Sequence, residues 1–304
     1  MYYWASYRAD IFLPDAPERF SRVSRILCHC GLILIDAHVH LWCCFQVSSF
    51  LNEAIANFEH EARRFGREDQ FQGVLCVVDP HQEQGFGRLL EYVRRRQTRG
   101  LTKDMEEWRL QGAAEDASIC LSAGSGKSVI IISGRQIASE ERLEVLALGT
   151  RQQFEDSQPA RTLLQKVARA GAIPVLPWGV GKWLGRRGQL VEELIEDPDL
   201  PPFFLGDSAH RPTFWPQPSQ FRRAEEQGIK NLSGSDPLPF PREVQRAGSF
   251  GVVLDESLNL ERPAQDLKQK LLDPSTTFRQ FGEGEAPGRF VRNQLKMQFR
   301  KLIQ

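Results

Sequence analysis

The sequence predicts an α/β fold in which a parallel sheet closes into a barrel. Short apolar runs typical of buried strands alternate with stretches of helical periodicity, and polar side chains gather where several of the apolar runs end. The length of 304 residues suits one large barrel or two ordinary domains. Repeated strand-then-helix units favour the barrel, and we expect the polar strand ends to share one mouth of it.

The barrel is predicted over residues 32–256. Residues 1–31 form an N-terminal extension, rich in aromatic side chains, which we expect to pack on the barrel or to serve an interface. Residues 257–304 are expected to be helices that cover the barrel exterior, so the chain counts as a single domain overall. No internal repeat of solenoid type is present.

Individual elements follow from the pattern of apolar residues. Strands are predicted at residues 32–42, 73–81, 129–139, 142–149, 171–179, 203–211, 230–236 and 250–254. Helices are predicted at residues 48–65, 84–97, 102–111, 159–170, 190–195, 220–227, 263–272 and 289–303. Only a few polar residues separate the runs at 133–139 and 142–149, which indicates two strands with a short exposed connection.

Composition narrows the class of protein. The 39 basic residues balance the 39 acidic ones, which argues against a general binder of nucleic acid or of membrane surfaces. No apolar run approaches the roughly 20 residues that a membrane span needs, and the start lacks a signal-peptide pattern. Six cysteines in a chain of this length do not make a disulfide scaffold, and their spacing is not that of a zinc finger. A reduced, cytoplasmic setting is therefore expected.

The first predicted strand carries the most informative polar residues. Successive side chains of a strand point to opposite faces, so Asp36, His38 and His40 are expected to share one face. Two imidazoles two residues apart on a rigid strand can bind one metal ion, and this pair suits zinc, manganese or iron. The alternative is a pair of core histidines that hydrogen-bond to backbone. Because burying two unpaired imidazoles is costly, the metal interpretation is favoured.

In chain order, the strand-end motifs resemble those of the polymerase-and-histidinol-phosphatase (PHP) superfamily. The segment with His38 and His40 is similar to its first motif, His-x-His, and Asp79-Pro80-His81 resembles a second motif, usually Thr-Asp-His. Gly234-Ser235-Asp236 resembles the start of Gly-Ser-Asp-Ala-His. The resemblance covers about residues 32 to 256. It implies an irregular seven- or eight-stranded TIM-like β/α barrel with metal-dependent phosphoesterase activity.

The sequence departs from the PHP pattern at four positions where ligands are expected. Gln136 replaces a bridging glutamate, Glu144 replaces a histidine, and Trp178 and Leu238 stand where two further histidines belong. Trp178 and Leu238 cannot coordinate a metal, and Gln136 offers only a neutral carbonyl. The resemblance therefore implies a divergent site with one divalent ion, or with none, rather than a full cluster.

The same segment also resembles the opening of amidohydrolase-type barrels. In that scheme His38 and His40 bind the metal, and Asp236 accepts a proton from the attacking water as general base. The histidines expected from later strands are missing in this scheme, unless His210 is one of them. Because both resemblances use His38, His40 and Asp236, these three residues are the best-supported metal site.

Predicted site residues fall into three groups. The catalytic candidates are Asp236, Asp79 and His81, and the metal-ligand candidates are His38, His40, Asp236 and Glu144. The substrate-binding candidates follow the fifth and sixth strands: Lys182, Arg186, Arg187, Arg211, His210 and Asp207. Cations in these loops would hold a phosphate or a carboxylate, although a solvated basic loop is an equally good interpretation.

Three functional hypotheses follow. The first is a metal-dependent hydrolase, most of all a phosphoesterase, acting on a small molecule. The second is a catalytically inactive PHP-like barrel that serves as a binding or assembly protein. The third is an amidohydrolase-like enzyme acting on an amide, a lactone or a carboxylate. No nucleic-acid or membrane partner is expected, and the sequence leaves oligomerisation open.

Overall fold

The structure, a computed structural model, describes residues 31–303 with gaps at 69, 81–82, 100–107, 112 and 124–125. The predicted N-terminal extension at residues 1–31 therefore lies almost wholly outside the described residues, as does His81. Within the described part of the chain, none of the helices has both the length and the apolar character needed to cross a membrane.

The described residues form ten strands and seven α-helices. The strands are β1 (Ile33–Val39), β2 (Gln72–Asp79), β3 (Arg109–Gln111), β4 (Ser118–Ser122), β5 (Ser128–Ala138), β6 (Glu144–Leu148), β7 (Ile173–Pro177), β8 (Phe204–Gly206), β9 (Gly251–Leu254) and β10 (Arg279–Phe281). The helices are α1 (Val47–Arg64), α2 (Gly85–Arg99), α3 (Ala160–Arg169), α4 (Arg186–Glu196), α5 (Ser219–Glu226), α6 (Pro263–Leu272) and α7 (Pro287–Ile303), with a 3-10 helix at Pro241–Arg246.

The sheet is mixed and curled, and it does not close. Its strand order is β10-β9-β1-β2-β5-β6-β7-β8, with β3 and β4 attached beside β5. Pairs β1–β2, β2–β5 and β7–β8 are parallel, whereas β9 is antiparallel to β1, and β6 is antiparallel to both β5 and β7. The prediction of a closed parallel sheet is therefore wrong. The connection between β5 and β6 is short, as the spacing of the two runs predicted, and so short a connection permits only antiparallel pairing.

Residues 231–236, named the seam below, lie between β8 and the C-terminal half of β1. They were predicted to be a strand, but they form only isolated bridges, of Asn231 with Leu205 and of Gly234 with Ser208. On the other side, Ala37 donates to the Ser233 carbonyl at 3.1 Å, and Asp236 donates to the His38 carbonyl at 2.7 Å. The left-handed backbone of Asp236, with φ of 47°, and the proline that follows it prevent a regular strand here.

Other differences concern short elements. A helix was predicted at residues 102–111, but residues 109–111 form strand β3, which pairs antiparallel with β4. Residues 102–107 are outside the described residues. Neither β4 nor β10 was predicted, because strands of five and three residues carry too little periodicity to identify. Long helices were easier, and the prediction for α1 differs from the structure by one residue at each end.

Two faces of the sheet bury separate apolar layers. The concave face collects side chains such as Ile33, Ile35 and Ala37, together with residues of α6. The convex face carries Leu34 and Val39 under α1 in one layer, and residues of α3, α4 and α5 form a second layer further along the sheet. Helices α1 and α3 to α5 thus cover the convex side, while α6 packs against the concave side.

A β-bulge interrupts the alternation of β1. Asp36 pairs with Leu75 and Val39 pairs with Val77, so three steps on β1 match two on β2. Asp36 lies on the convex side, where its carboxylate accepts hydrogen bonds from the backbone of Gly248 and Ser235. The expectation that Asp36 shares a face with His38 and His40 is therefore wrong, because one extra residue in the strand shifts the alternation.

Candidate metal centre

Three predicted residues meet at the junction of β1 and the seam. The Nε2 atoms of His38 and His40 lie 3.2 Å apart. Oδ1 of Asp236 lies 3.6 Å from Nε2 of His38 and 3.4 Å from Nε2 of His40. Both imidazoles are buried, and Asp236 is partly exposed at 24%. The three side chains form a group that could hold a metal ion.

The spacing fits a tetrahedral ion. With bonds of about 2.0 to 2.1 Å, the ligand atoms of a four-coordinate zinc lie about 3.3 Å from one another. The three observed separations, 3.2, 3.4 and 3.6 Å, are close to that value. Two imidazoles and one carboxylate also match the ligand types that zinc, manganese and iron accept. A three-residue set leaves at least one coordination position for water or substrate.

The His40 ring is fixed in the tautomer that a metal ligand requires. Its Nδ1 lies 2.8 Å from the backbone carbonyl of Val78, at the end of β2. A carbonyl only accepts hydrogen bonds, so Nδ1 carries the hydrogen and Nε2 keeps its lone pair. A backbone acceptor behind a histidine is a common means of orienting a metal ligand. No feature of the sequence indicates this contact.

His38 is held in the neutral form. Burial lowers the pKa of its imidazole below the ordinary value, against the opposing attraction of the Asp236 carboxylate. Its Nε2 also lies 3.0 Å from Oε1 of Gln136, on β5. An amide oxygen only accepts hydrogen bonds, so Nε2 of His38 carries a hydrogen in this arrangement, and binding an ion through this nitrogen requires the other tautomer of the ring. Only a neutral imidazole can donate a lone pair to a metal, so the lowered pKa favours ligation at neutral pH.

Asp236 is fixed by its backbone as well as by its side chain. The positive φ of a non-glycine residue costs about 1–3 kcal/mol, so the surroundings must hold it. Its Oδ2 accepts a hydrogen bond from the Ser208 hydroxyl at 3.3 Å. Burial alone would raise the pKa of the Asp236 carboxyl, but the imidazoles of His38, His40 and His210 outweigh it and hold the pKa below its ordinary value. The carboxylate is therefore ionised at neutral pH.

Glu144, the predicted substitute ligand, has another partner. It forms an ion pair with Lys182, which was predicted to bind substrate. Glu144 lies outside the three-residue group, although its charge still acts on His38. Lys182 lies across Gly179, where a Cβ would meet the lysine side chain at 2.8 Å. The pair stands at the mouth of the site, with the Lys182 side chain 31% exposed.

Asp79, a predicted catalytic residue, caps a helix. Its carboxylate accepts hydrogen bonds from the backbone of Gly85 and Phe86 at the start of α2, at 2.8 and 3.3 Å. Arg135 lies 3.9 Å away. Burial raises the pKa of the Asp79 carboxyl, against these hydrogen bonds. Its predicted partner, His81, lies outside the described residues, so the acid–imidazole pair stays a prediction.

Most of the predicted substrate-binding cations already have partners in the protein. Arg211 donates to both oxygens of the buried Asp207, at distances from 2.7 to 3.2 Å, so these two predicted residues neutralise each other. Arg187 donates to the Gly181 carbonyl at 2.8 Å and stabilises its own loop. Arg186 is exposed at the start of α4. Lys182 is the predicted substrate-binding cation nearest in its contacts to the centre, because the charge of its partner, Glu144, acts on His38.

His210 contacts the centre from behind rather than through its ligand atoms. Its Nε2 lies 2.6 Å from the backbone carbonyl of Asp236, and its Nδ1 lies 3.3 Å from Oε2 of Glu285. Because the carbonyl only accepts, Nε2 carries a hydrogen and cannot bind a metal. His210 is thus not a ligand in this arrangement, which leaves the amidohydrolase scheme without its further histidine.

Sequence reasoning missed Glu285 and the role of Asp36. Glu285 is buried, and it lies outside the residues predicted to form the barrel. Burial raises the pKa of its carboxyl, but hydrogen bonding and the charges of His210 and Arg246 outweigh burial and hold that pKa below its ordinary value. Asp36 accepts the Ser235 hydroxyl at 2.5 Å and so ties β1 to the seam. Trp178 is buried and packs on Trp215, while Leu238 is partly exposed beyond the seam.

Comparisons with known proteins leave the family open. The chain matches no family model and no curated protein sequence. Among solved structures it is similar to PsfC from Pseudomonas syringae PB-5123, with 15% identity, a TM-score of 0.49 and coverage of 88% of this chain and 98% of that one. It is also similar to the novel lesion-specific endonuclease PfuEndoQ from Pyrococcus furiosus, with 9% identity and a TM-score of 0.46. That match covers 81% of this chain and 57% of the endonuclease.

Proposed function

We propose that the protein is a metal-dependent hydrolase whose ion is held by His38, His40 and Asp236. The observation that carries the proposal is the set of three ligand-atom separations, 3.2, 3.4 and 3.6 Å, at the end of β1. The tautomer of His40 and the ionised Asp236 support it, because each presents a lone pair toward the same point. The expected metals are zinc, manganese and iron, with one ion per chain.

A divalent ion bound there would lower the pKa of water and polarise a phosphoryl or carbonyl oxygen. The protein's side chains would supply the ligands of the ion and the general base. His38 and His40 supply neutral nitrogen ligands, and the Val78 carbonyl orients the second of them. The Asp236 carboxylate, ionised beside the two rings, is placed to accept the proton of an attacking water.

A phosphate ester is the proposed substrate class. The order of the strand-end motifs, which resembles that of PHP phosphoesterases, supports this choice. So does Lys182, whose ammonium group stands beside Glu144 at the mouth and would attract a phosphate once a divalent ion adds positive charge. Lactones and amides are the competing class, because they need the same metal and the same general base.

The first test is elemental analysis of protein purified without chelator. We expect near-stoichiometric zinc, manganese or iron in the wild type, and at least about a hundredfold weaker retention in His40→Ala and Asp236→Ala, since each loses one of three ligands. His60→Ala is the matched control, because His60 is exposed on α1 and away from the group. Metal that persists in both variants would contradict the site.

Activity then separates the substrate classes. The metal-loaded protein would be assayed against p-nitrophenyl phosphate, bis-p-nitrophenyl phosphate and a set of lactones, with the Asp236→Ala variant as background. Faster turnover of a phosphate ester supports the proposed class. Turnover of lactones alone would assign the site to the amidohydrolase-like reaction.

A non-catalytic role is the second candidate, and one observation favours it. Apart from the three-residue group, the described acids at this end of the sheet, Asp79, Glu144 and Asp207, are engaged by protein partners, and Gln136 occupies the position of an expected ligand. A centre of this kind could persist as a binding or assembly barrel. A wild-type protein that contains no metal, and takes up none on incubation, would support that role over the hydrolase.

A further inference from the structure

Asp236 has a backbone conformation that its own sequence disfavours. Its φ of 47° is left-handed, and the residue before a proline, here Pro237, is biased toward extended conformations. In this conformation Oδ1 lies 3.4 Å from Nε2 of His40 and 3.6 Å from Nε2 of His38. The groups that hold the peptide units on either side of Asp236 therefore determine whether the three-residue group exists.

Two backbone hydrogen bonds hold Asp236, one on each side. Its N–H donates to the His38 carbonyl at 2.7 Å, which fixes it to β1. Its carbonyl accepts from Nε2 of His210 at 2.6 Å, which fixes it to the loop that follows β8. The first bond comes from the main chain and survives any side-chain change. The second depends on one buried imidazole, 5% exposed.

Glu285 orients that imidazole. Its Oε2 lies 3.3 Å from Nδ1 of His210, while its Oε1 accepts from Arg246 at 3.1 Å and from Asn293 at 2.6 Å. Arg246 also donates to the Ala209 carbonyl at 2.7 Å, next to His210 in the chain. The carboxylate is thereby locked, and with it the ring. Asn293 belongs to α7, so the C-terminal helix contributes to the support.

From these contacts we infer that His210 and Glu285 are positioning residues for the metal centre: they hold Asp236 in its left-handed conformation and so set the affinity for the ion. The inference rests on the proposed function, since it concerns the same three ligands. Neither residue binds the ion, and neither contacts a reacting atom. Outer groups that orient a ligand typically change metal affinity by about 10- to 100-fold when they are removed.

The test uses the metal alone. Co²⁺ would be titrated into metal-free wild type, His210→Met, His210→Gln and Glu285→Gln, with the visible d–d absorption band as the reading. His210→Met removes the donor, so we expect at least about tenfold weaker binding and a shifted band. Glutamine places an amide N–H near the position of Nε2, so His210→Gln should recover most of the affinity. Glu285→Gln keeps the side-chain volume but holds the His210 ring less firmly, so its Co²⁺ affinity should lie between those of His210→Gln and His210→Met.

A matched control separates positioning from loss of stability. Gln72 is buried at the opposite end of β2 and exchanges two hydrogen bonds with the backbone of Leu258, at 2.6 and 3.3 Å. Gln72→Met should lower the melting temperature as His210→Met does, but leave the Co²⁺ affinity and spectrum unchanged. Melting curves of the metal-free proteins establish that each variant is folded before titration.

The outcomes distinguish the two proposals. Wild type that binds Co²⁺, together with His210→Met and Glu285→Gln proteins of unchanged affinity and spectrum, overturns the positioning role and leaves the proposed function standing. Equal losses in His210→Met and His210→Gln also overturn it, because the donor to Asp236 would then not matter. Wild type that binds neither Co²⁺ nor Zn²⁺ overturns both proposals together.

Discussion

The C-terminal ends of the parallel strands form two arcs, and the polar side chains of the two arcs differ in what they contact. Along the arc from β2 through β8, three acids are engaged by the protein: Asp79 caps α2, Glu144 pairs with Lys182, and Asp207 pairs with Arg211. Where β1 meets the seam, His38, His40 and Asp236 direct their ligand atoms at one another. A carboxylate with its partners already in place gains little from a metal, whereas an ion placed between His38, His40 and Asp236 would contact all three side chains at once.

The largest expected effect comes from breaking the contact between β1 and the seam. A Cβ on Gly234 would overlap the backbone N and the Cβ of His38 and would lie 2.7 Å from its Cα. Gly234→Ala should therefore push the two segments apart, cost about 3 kcal/mol of unfolding free energy and abolish metal binding. Denaturant unfolding and Co²⁺ titration measure the two effects.

Gly288→Ala is the control for that substitution, because a Cβ at Gly288 meets nothing within 4 Å. It should leave both quantities unchanged within about 0.5 kcal/mol. A Gly234→Ala protein with wild-type stability and metal affinity would show that the close approach of the seam to β1 is not required.

A pair of isosteric substitutions compares the arcs directly. Asp236→Asn removes a charge that faces both imidazoles, and we expect at least about a hundredfold loss of Zn²⁺ affinity, or about 2.7 kcal/mol. Glu144→Gln removes a charge that is already paired with Lys182, and should change the affinity by less than about tenfold. Isothermal titration calorimetry on metal-free protein gives both values, and equal losses would erase the distinction between the arcs.

The last prediction concerns Asp36, an acid next to the centre that the bulge turns away from it. Burial raises the pKa of this carboxyl from 3.8 to about 7, against hydrogen bonds from Ser235, Gly248 and His38. The folded state thus binds the proton more tightly than the unfolded state. Its contribution to stability is present below pH 3.8 and is lost as the pH rises toward 7, by at most about 1.4 kcal/mol per pH unit.

Asp36→Asn removes this titration. The difference in unfolding free energy between wild type and variant, measured in urea at several pH values, should shift in favour of the variant between pH 4 and pH 7. A difference that stays constant over that range would mean that the hydrogen bonds to the Asp36 carboxylate offset its burial.

The metal ligands could be proposed from the sequence because their chemistry is local. His38 and His40 stand two residues apart near the end of an apolar run, and Gly234-Ser235-Asp236 resembles a known strand-end motif. The closed parallel barrel could not be tested in the same way. Strand direction depends on connections: the short turn between β5 and β6 and the antiparallel entry of β9 beside β1 make the sheet mixed.

The remaining wrong predictions concern residues whose partners are distant in the sequence. Period-two alternation placed Asp36 beside the histidines, and a single-residue bulge moved it to the other face. Nothing near Glu144 in the sequence shows that Lys182, 38 residues further on, already pairs with it. Glu285 lies outside the predicted barrel, and its link to His210 across 75 residues appears only in the folded chain.

The seam also has a consequence for the order of events during synthesis. The hydrogen bond between Ser235 and Asp36 joins residues that are 199 positions apart in the sequence, and the two histidines are separated from Asp236 by nearly as many. At about 5–20 residues per second, a ribosome takes roughly 10–40 s to add that length of chain. Strands β1 and β2 can pair early in this interval, while the third ligand does not yet exist. A nascent chain therefore presents only the two imidazoles of the proposed metal centre until the seam has been synthesised.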